Sequence, residues 1–73
     1  MASPANRRKG HLAQAGINAQ DVASQLDVSL SHVCRVIAGN RLGGRKAQAI
    51  QQAIATRLGR SVAELWPEVQ DAA

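Results

Sequence analysis

The stretch Ala19-Gln-Asp-Val-Ala-Ser-Gln-Leu-Asp-Val-Ser-Leu-Ser-His-Val-Cys-Arg-Val-Ile-Ala38 decides the fold. Val22, Ala23 and Leu26 fall on one face at helical spacing, and Val33, Val36 and Ile37 do the same further on, so each segment predicts a short helix with one face to bury. Between them Asp27 tolerates the left-handed conformation, Val28 is an apolar plug, and Ser29 can cap the amides of the helix that follows. So tight a break makes the two helices cross. A hairpin in any small helical bundle shows the same apolar spacing. What a plain hairpin does not need is a small residue at the crossing, a short capped turn, and an outer face carrying Leu30, Ser31, His32 and Arg35 together.

That combination is the pattern of a helix-turn-helix, in which the second helix enters the DNA major groove and the first crosses the backbone. The stretch resembles the lambda-repressor and Cro-like family. In that alignment Ala23 takes the small position at the crossing, Val28 the apolar turn position, and Val33 and Val36 the buried positions of the recognition helix. The family usually has glycine where this chain has Asp27, one of the few other residues that accept positive φ. Val22, Ala23, Leu26, Val28, Val33 and Val36 are thus the expected seam between the two helices.

Composition agrees. Seventy-three residues make one small domain, 1–73, with an ordered core expected over about 6–67 and flexible termini. With one Trp and neither Tyr nor Phe, the core must come from Leu, Ile, Val and many alanines, which suits closely packed helices. The expected fold is all-α, a compact bundle of about five short helices. A single cysteine, Cys34, excludes an internal disulfide and a cysteine-rich zinc site, and fits a reducing cytosol. No signal peptide is visible, and no apolar run approaches the ~18 residues of a membrane span. The net charge is +4, but its placement matters more: all nine basic residues lie within 1–60, while Glu64, Glu68 and Asp71 follow. A basic body attracts polyanions and speeds encounter with DNA.

Before the motif, Ser3-Pro4 reads as a helix start, with Ser3 as cap and Pro4 in the first position. That helix should run to about Ala15 with Leu12 inward and stop at Gly16, followed by Ile17 as a core anchor and Asn18 as the next cap. Arg7, Arg8 and Lys9 are read as lying outside or on a frayed end, because Gly10 weakens the helix by about 1 kcal/mol relative to alanine. They form either a solvated terminus or an arm that tightens on phosphates.

After the motif comes Gly39-Asn-Arg-Leu-Gly-Gly-Arg-Lys46. Its glycines let backbone amides approach a phosphate, and Arg41, Arg45 and Lys46 supply charge; the alternative is a flexible linker between helices. No serine or threonine follows Lys46 and no strand precedes the glycines, so neither a P-loop nor a dinucleotide fingerprint fits. Gln20, Asn40, Arg41, Arg45, Lys46, Arg7, Arg8 and Lys9 are the candidate DNA-backbone contacts. A fourth helix from about Gly44 to Leu58 buries Ala47, Ile50, Ile54 and Leu58, with Gln48, Gln51, Gln52 and Arg57 elsewhere on the wheel. Ser61-Val-Ala-Glu64 reads as a capping box opening a short fifth helix that ends before Pro67. Trp66 either packs on the bundle or contacts a second copy.

The segment Leu58-Gly-Arg-Ser-Val-Ala-Glu-Leu-Trp-Pro67 resembles the close of the Ner-like regulators of Mu-like transposable phages. That resemblance implies a small helical DNA-binding repressor. The two resemblances together span roughly residues 6–67 and imply no operator sequence.

Catalysis would need a nucleophile with a base, paired carboxylates or metal ligands in register. His11 and His32 are far apart and lack a carboxylate at helical spacing, and Cys34 beside Val33 reads as half-buried. Neither an enzyme, a metal, a cofactor nor a small-molecule ligand is expected. The expected partner is double-stranded DNA, with a second copy of the chain on the same DNA. Base reading falls to Leu30, Ser31, His32 and Arg35 at the start of the recognition helix, with Arg35 suited either to a guanine edge or to a phosphate. The competing readings are a module for an acidic protein partner, a nonspecific architectural DNA binder, and an RNA binder, the last disfavoured by the lack of aromatic stacking platforms.

Overall fold

Ser3 opens the first helix by accepting the Asn6 amide on its Oγ at 3.2 Å, and Pro4 takes the first position, where its missing N–H leaves nothing unpaired. A computed structural model describes residues 3–71, with side chains through residue 69. Helix α1 spans Pro4–Ala15 and closes on Gly16. The basic triplet and Gly10 therefore lie inside a regular helix and form no frayed arm. Leu12 and Arg8 are both buried, and their packing offsets the cost of the glycine.

Asn18 caps α2, Ala19–Leu26, by accepting the Gln20 amide at 2.9 Å, and Ser29 caps α3, Leu30–Ala38, by accepting the His32 amide at 3.1 Å. Between them Asp27 adopts φ 55° and ψ 48°, the one positive-φ residue other than glycine among those described. Its amide and that of Val28 turn back to the carbonyls of Ser24 and Ala23, at 3.3 and 3.0 Å, so the last carbonyls of α2 are satisfied within the turn. Helix α4, Arg45–Leu58, ends on Gly59; α5 is the single turn Val62–Leu65. Ser61 caps the Glu64 amide at 3.1 Å, but the Glu64 carboxylate takes Arg60 at 3.0 Å and leaves the Ser61 amide, so only half of the expected capping box forms.

A sixth helix not expected from the sequence, α6, follows at Pro67–Asp71. Proline ends α5 and is equally suited to the first position of a new helix, which is why the stop expected at Pro67 is also a start. The described body thus runs past the expected core boundary; the expectation of flexible ends falls partly on Met1, Ala2, Ala72 and Ala73, which lie outside the described residues. Among the described residues all regular structure is helical.

The core joins Leu12, Val22, Ala23, Val33, Val36 and Ile37 of the first three helices to Ala47, Ile50, Ile54 and Ala55 of α4, closed by Leu65 and Trp66. Ile50, Ile54, Val33, Val36 and Trp66 have no exposed surface. Leu26 and Val28 are half-buried at the margin of the same cluster, so all six expected seam residues pack at or against it. The Cα radius of gyration, 11.1 Å, is that of a compact chain of this length, about 11 Å, and the one core joins α1 to α5, with α6 attached through the Glu68–Arg8 pair.

Candidate nucleic-acid interface

Because α2 and α3 bury Val22, Ala23, Val33, Val36 and Ile37 against one another and the core, the opposite side of α3 is left to solvent. Leu30 is 46% exposed, unusual for so large an apolar side chain, and Ser31, Cys34 and Arg35 are also exposed. Cys34 is therefore a surface thiol where the sequence suggested a half-buried one. His32 differs from its three expected companions. It is half-buried, and its Nε2 is enclosed with no hydrogen-bond partner, so that nitrogen is not presented to a base edge. Of the four candidate base readers, Leu30, Ser31 and Arg35 project freely.

The loop after α3 starts at Gly39, left-handed at φ 85°, whose amide and that of Asn40 close the end of α3 on Val36 and Arg35. Asn40 and Arg41 are exposed, while Leu42 folds inward against the core. The loop is held by a residue the helical wheel misassigned. Gln51 is 3% exposed and donates its Nε2 to the Leu42 carbonyl at 3.0 Å, so it belongs to the buried face of α4. The signal was present in its spacing, since Gln51 stands four residues from both Ala47 and Ala55.

Helix α4 then begins without help. Gly44 at its N-cap has φ 99° and ψ 163°, a conformation suited to glycine, and provides no side chain for the first-turn amides. No acidic residue stands in that turn, and its first two residues are Arg45 and Lys46, both exposed. Cations at the positive end of a helix are unfavourable, and uncapped amides add to the deficit. Both are relieved by one thing, an anion at this helix start. Gln20, at the start of α2, is exposed as well.

Arg7, Arg8 and Lys9 do not act as a unit. Successive residues of a helix point about 100° apart, and the three go to three places. Lys9 borders a groove between α1 and α3 with Cys34, Ala13 and Ile17. Arg7 lies on the α5 side beside Arg60. Arg8 points into the protein and is 1% exposed, so it is withdrawn from the phosphate contacts expected for it.

The Arg8 guanidinium uses four of its five N–H groups: Nε to the Ile37 carbonyl at 2.7 Å, Nη1 to the Leu65 carbonyl at 2.8 Å, and a fork to Glu68 at 2.9 Å from each Nη. It also lies over the Trp66 ring, 5.2 Å from the centroid. Trp66 Nε1 donates to the Val36 carbonyl at 2.9 Å. Two side chains from outside the motif thus satisfy carbonyls of the last turn of α3 and fix where that helix ends. The hydrogen bonds from Arg8 hold the Glu68 carboxyl below the usual carboxylate range, against a smaller opposing effect of partial burial. Among the described residues there is no cluster of metal-ligating side chains and no helix long and apolar enough to cross a membrane. Comparison with protein-family models, curated proteins and solved structures returns no match.

Proposed function

We propose that this chain is a sequence-specific double-stranded DNA-binding regulator of transcription, of the lambda-repressor and Cro-like kind and closest in character to the Ner-like phage repressors, working in a bacterial cytoplasm. The observation that carries the reading is the α2–turn–α3 unit, whose short turn through left-handed Asp27 leaves Leu30, Ser31 and Arg35 free on one exposed face. Arg35 reads a guanine through its O6 and N7 acceptors, and Leu30 meets a thymine methyl. Arg41, Arg45 and Lys46, with Asn40 and Gln20, hold phosphates on either side, the uncapped start of α4 receiving one of them. Two copies occupy half-sites about one helical turn apart.

Selection from a randomised duplex pool, followed by titration of the enriched duplex against scrambled competitor over a range of salt, tests the reading. The expected result is an enriched motif bound at least about a thousandfold more tightly than scrambled DNA, with sedimentation showing two chains per full site. Equal affinity for every duplex would replace the regulator with a nonspecific architectural binder, and no binding to any duplex would remove the DNA reading altogether.

A further inference from the structure

Away from α3 and its following loop, Arg7, Arg8, His11, Arg60 and Glu64 meet around a cavity of about 120 Å³ between α1 and α5. Arg7 and His11 stand four residues apart, one above the other on α1. Arg60 is fixed from the other side, its amide bonded to the Ala55 carbonyl at 3.0 Å where α4 closes. Buried Arg8 lines the same cavity.

Of the polar side chains that line this space, three are arginines and one is a histidine, against a single carboxylate. Glu64 is the lining carboxylate, and one of its oxygens is already taken by Arg60 at 3.0 Å. Glu68, which neutralises Arg8, is likewise engaged. The Arg7 guanidinium has no hydrogen-bond partner among the described residues, and Arg60 uses a single N–H. The two prolines that help line the cavity, Pro4 and Pro67, have no backbone N–H to compete for an acceptor. A cavity of this size exceeds the ~10–15 Å³ one water needs, yet falls below the ~300–1,000 Å³ of sites for larger organic ligands. It suits a small polyatomic group that only accepts hydrogen bonds.

We propose that the cavity is a binding site for a tetrahedral oxyanion, a phosphate or phosphoryl group, held by a fork from Arg60 with Arg7 and His11 donating from α1. Arg60 exchanges Glu64 for the ligand, so Glu64 is the built-in competitor that sets how tightly the site binds. The site shares no residue with the proposed DNA-reading surface and stands or falls independently of it.

Titration of the full chain with inorganic phosphate, followed by amide NMR shifts at constant ionic strength with chloride as the replaced anion, tests this. Saturable shifts at His11, Arg60 and Glu64 are expected. Arg60→Gln should weaken binding about tenfold through the lost charge-assisted fork, His11→Gln should weaken it less, and Glu64→Gln should tighten it severalfold. Arg60 and Glu64 are exposed and His11 is half-buried, and an unchanged thermal midpoint without phosphate confirms that each variant folds. A scrambled duplex serves as a second arm: shifts at the same residues that phosphate competes away identify DNA backbone as the source of the group, and their absence identifies a free phosphate species. Shifts that follow ionic strength without saturating, or phosphate affinity unchanged in both Arg60→Gln and Glu64→Gln, would overturn the site.

Discussion

Trp66 donates its indole N–H to the carbonyl of Val36, thirty residues earlier, at 2.9 Å, and does so with no exposed surface. The bond fastens the segment after α4 to the last turn of α3, the helix whose outer face carries Ser31 and Arg35. Replacing Trp66 with Phe keeps most of the apolar contact and removes this donor. The expected cost is about 1 to 2 kcal/mol, whereas Trp66→Ala should cost about 3 to 5 kcal/mol and threaten folding of so small a domain. Urea unfolding of the two variants checks the difference.

Glu68 gives stability a pH dependence whose sign follows from the Arg8 fork. Its carboxyl pKa is lowered in the folded protein first by the hydrogen bonds from Arg8, so the stabilisation is fully present above the ordinary glutamate value of about 4.3 and is lost as pH falls through the lowered folded value. Glu68→Gln should lower stability at neutral pH by about 2 to 3 kcal/mol, because buried Arg8 loses its counter-charge and one acceptor of the fork, glutamine offering a single carbonyl oxygen, and should flatten the acid limb. Thermal midpoints measured from pH 7 to pH 3 for both proteins are the check; parallel curves would count against the pair.

Asp27 holds a conformation that costs an ordinary L-residue about 1 to 2 kcal/mol and glycine nothing. Asp27→Gly is accordingly expected to be neutral or to stabilise by up to about 1 kcal/mol, the greater freedom of glycine in the unfolded chain working against the gain. Asp27→Ala should destabilise by about 1 kcal/mol. Calorimetry of the pair separates backbone strain from any role of the carboxylate, since both variants lack it.

Ala23 is 5% exposed where α2 crosses α3. Leucine there has no space to enter and should force the helices apart, at about 1 to 3 kcal/mol. An unchanged midpoint for Ala23→Leu would mean that the crossing is looser than its burial implies.

Arg35 and Arg45 should separate base reading from backbone holding. On the proposed function, Arg35→Ala costs about 1 to 3 kcal/mol on the selected duplex and relaxes preference at one guanine, with little change on scrambled DNA. Arg45→Ala weakens every duplex alike and reduces the salt slope by about one. Equal losses on both duplexes for Arg35→Ala would make it a phosphate contact. Binding curves at three salt concentrations suffice.

The sequence by itself determined what depends on neighbours a few residues apart. Ser3, Asn18, Ser29 and Ser61 each cap an amide two or three positions on, and Gly16, Asp27, Gly39 and Gly59 each close a helix in the left-handed conformation. These are local interactions, so the helix ends, the turn and the apolar faces of α2 and α3 are legible along the chain. Tertiary structure alone decided the rest. Nothing local distinguishes Arg8 from Arg7 and Lys9: which of three consecutive basic residues turns inward depends on Leu65 and Glu68, 57 and 60 residues away, arriving with the carbonyl and carboxylate that make burial of a charge tolerable. The same reason hid α6, which supplies Glu68 to Arg8 yet reads locally as the tail beyond a proline. Gln51 shows the intermediate case: its spacing marked the buried face, but only the Leu42 carbonyl nine residues away gives a buried amide its partner.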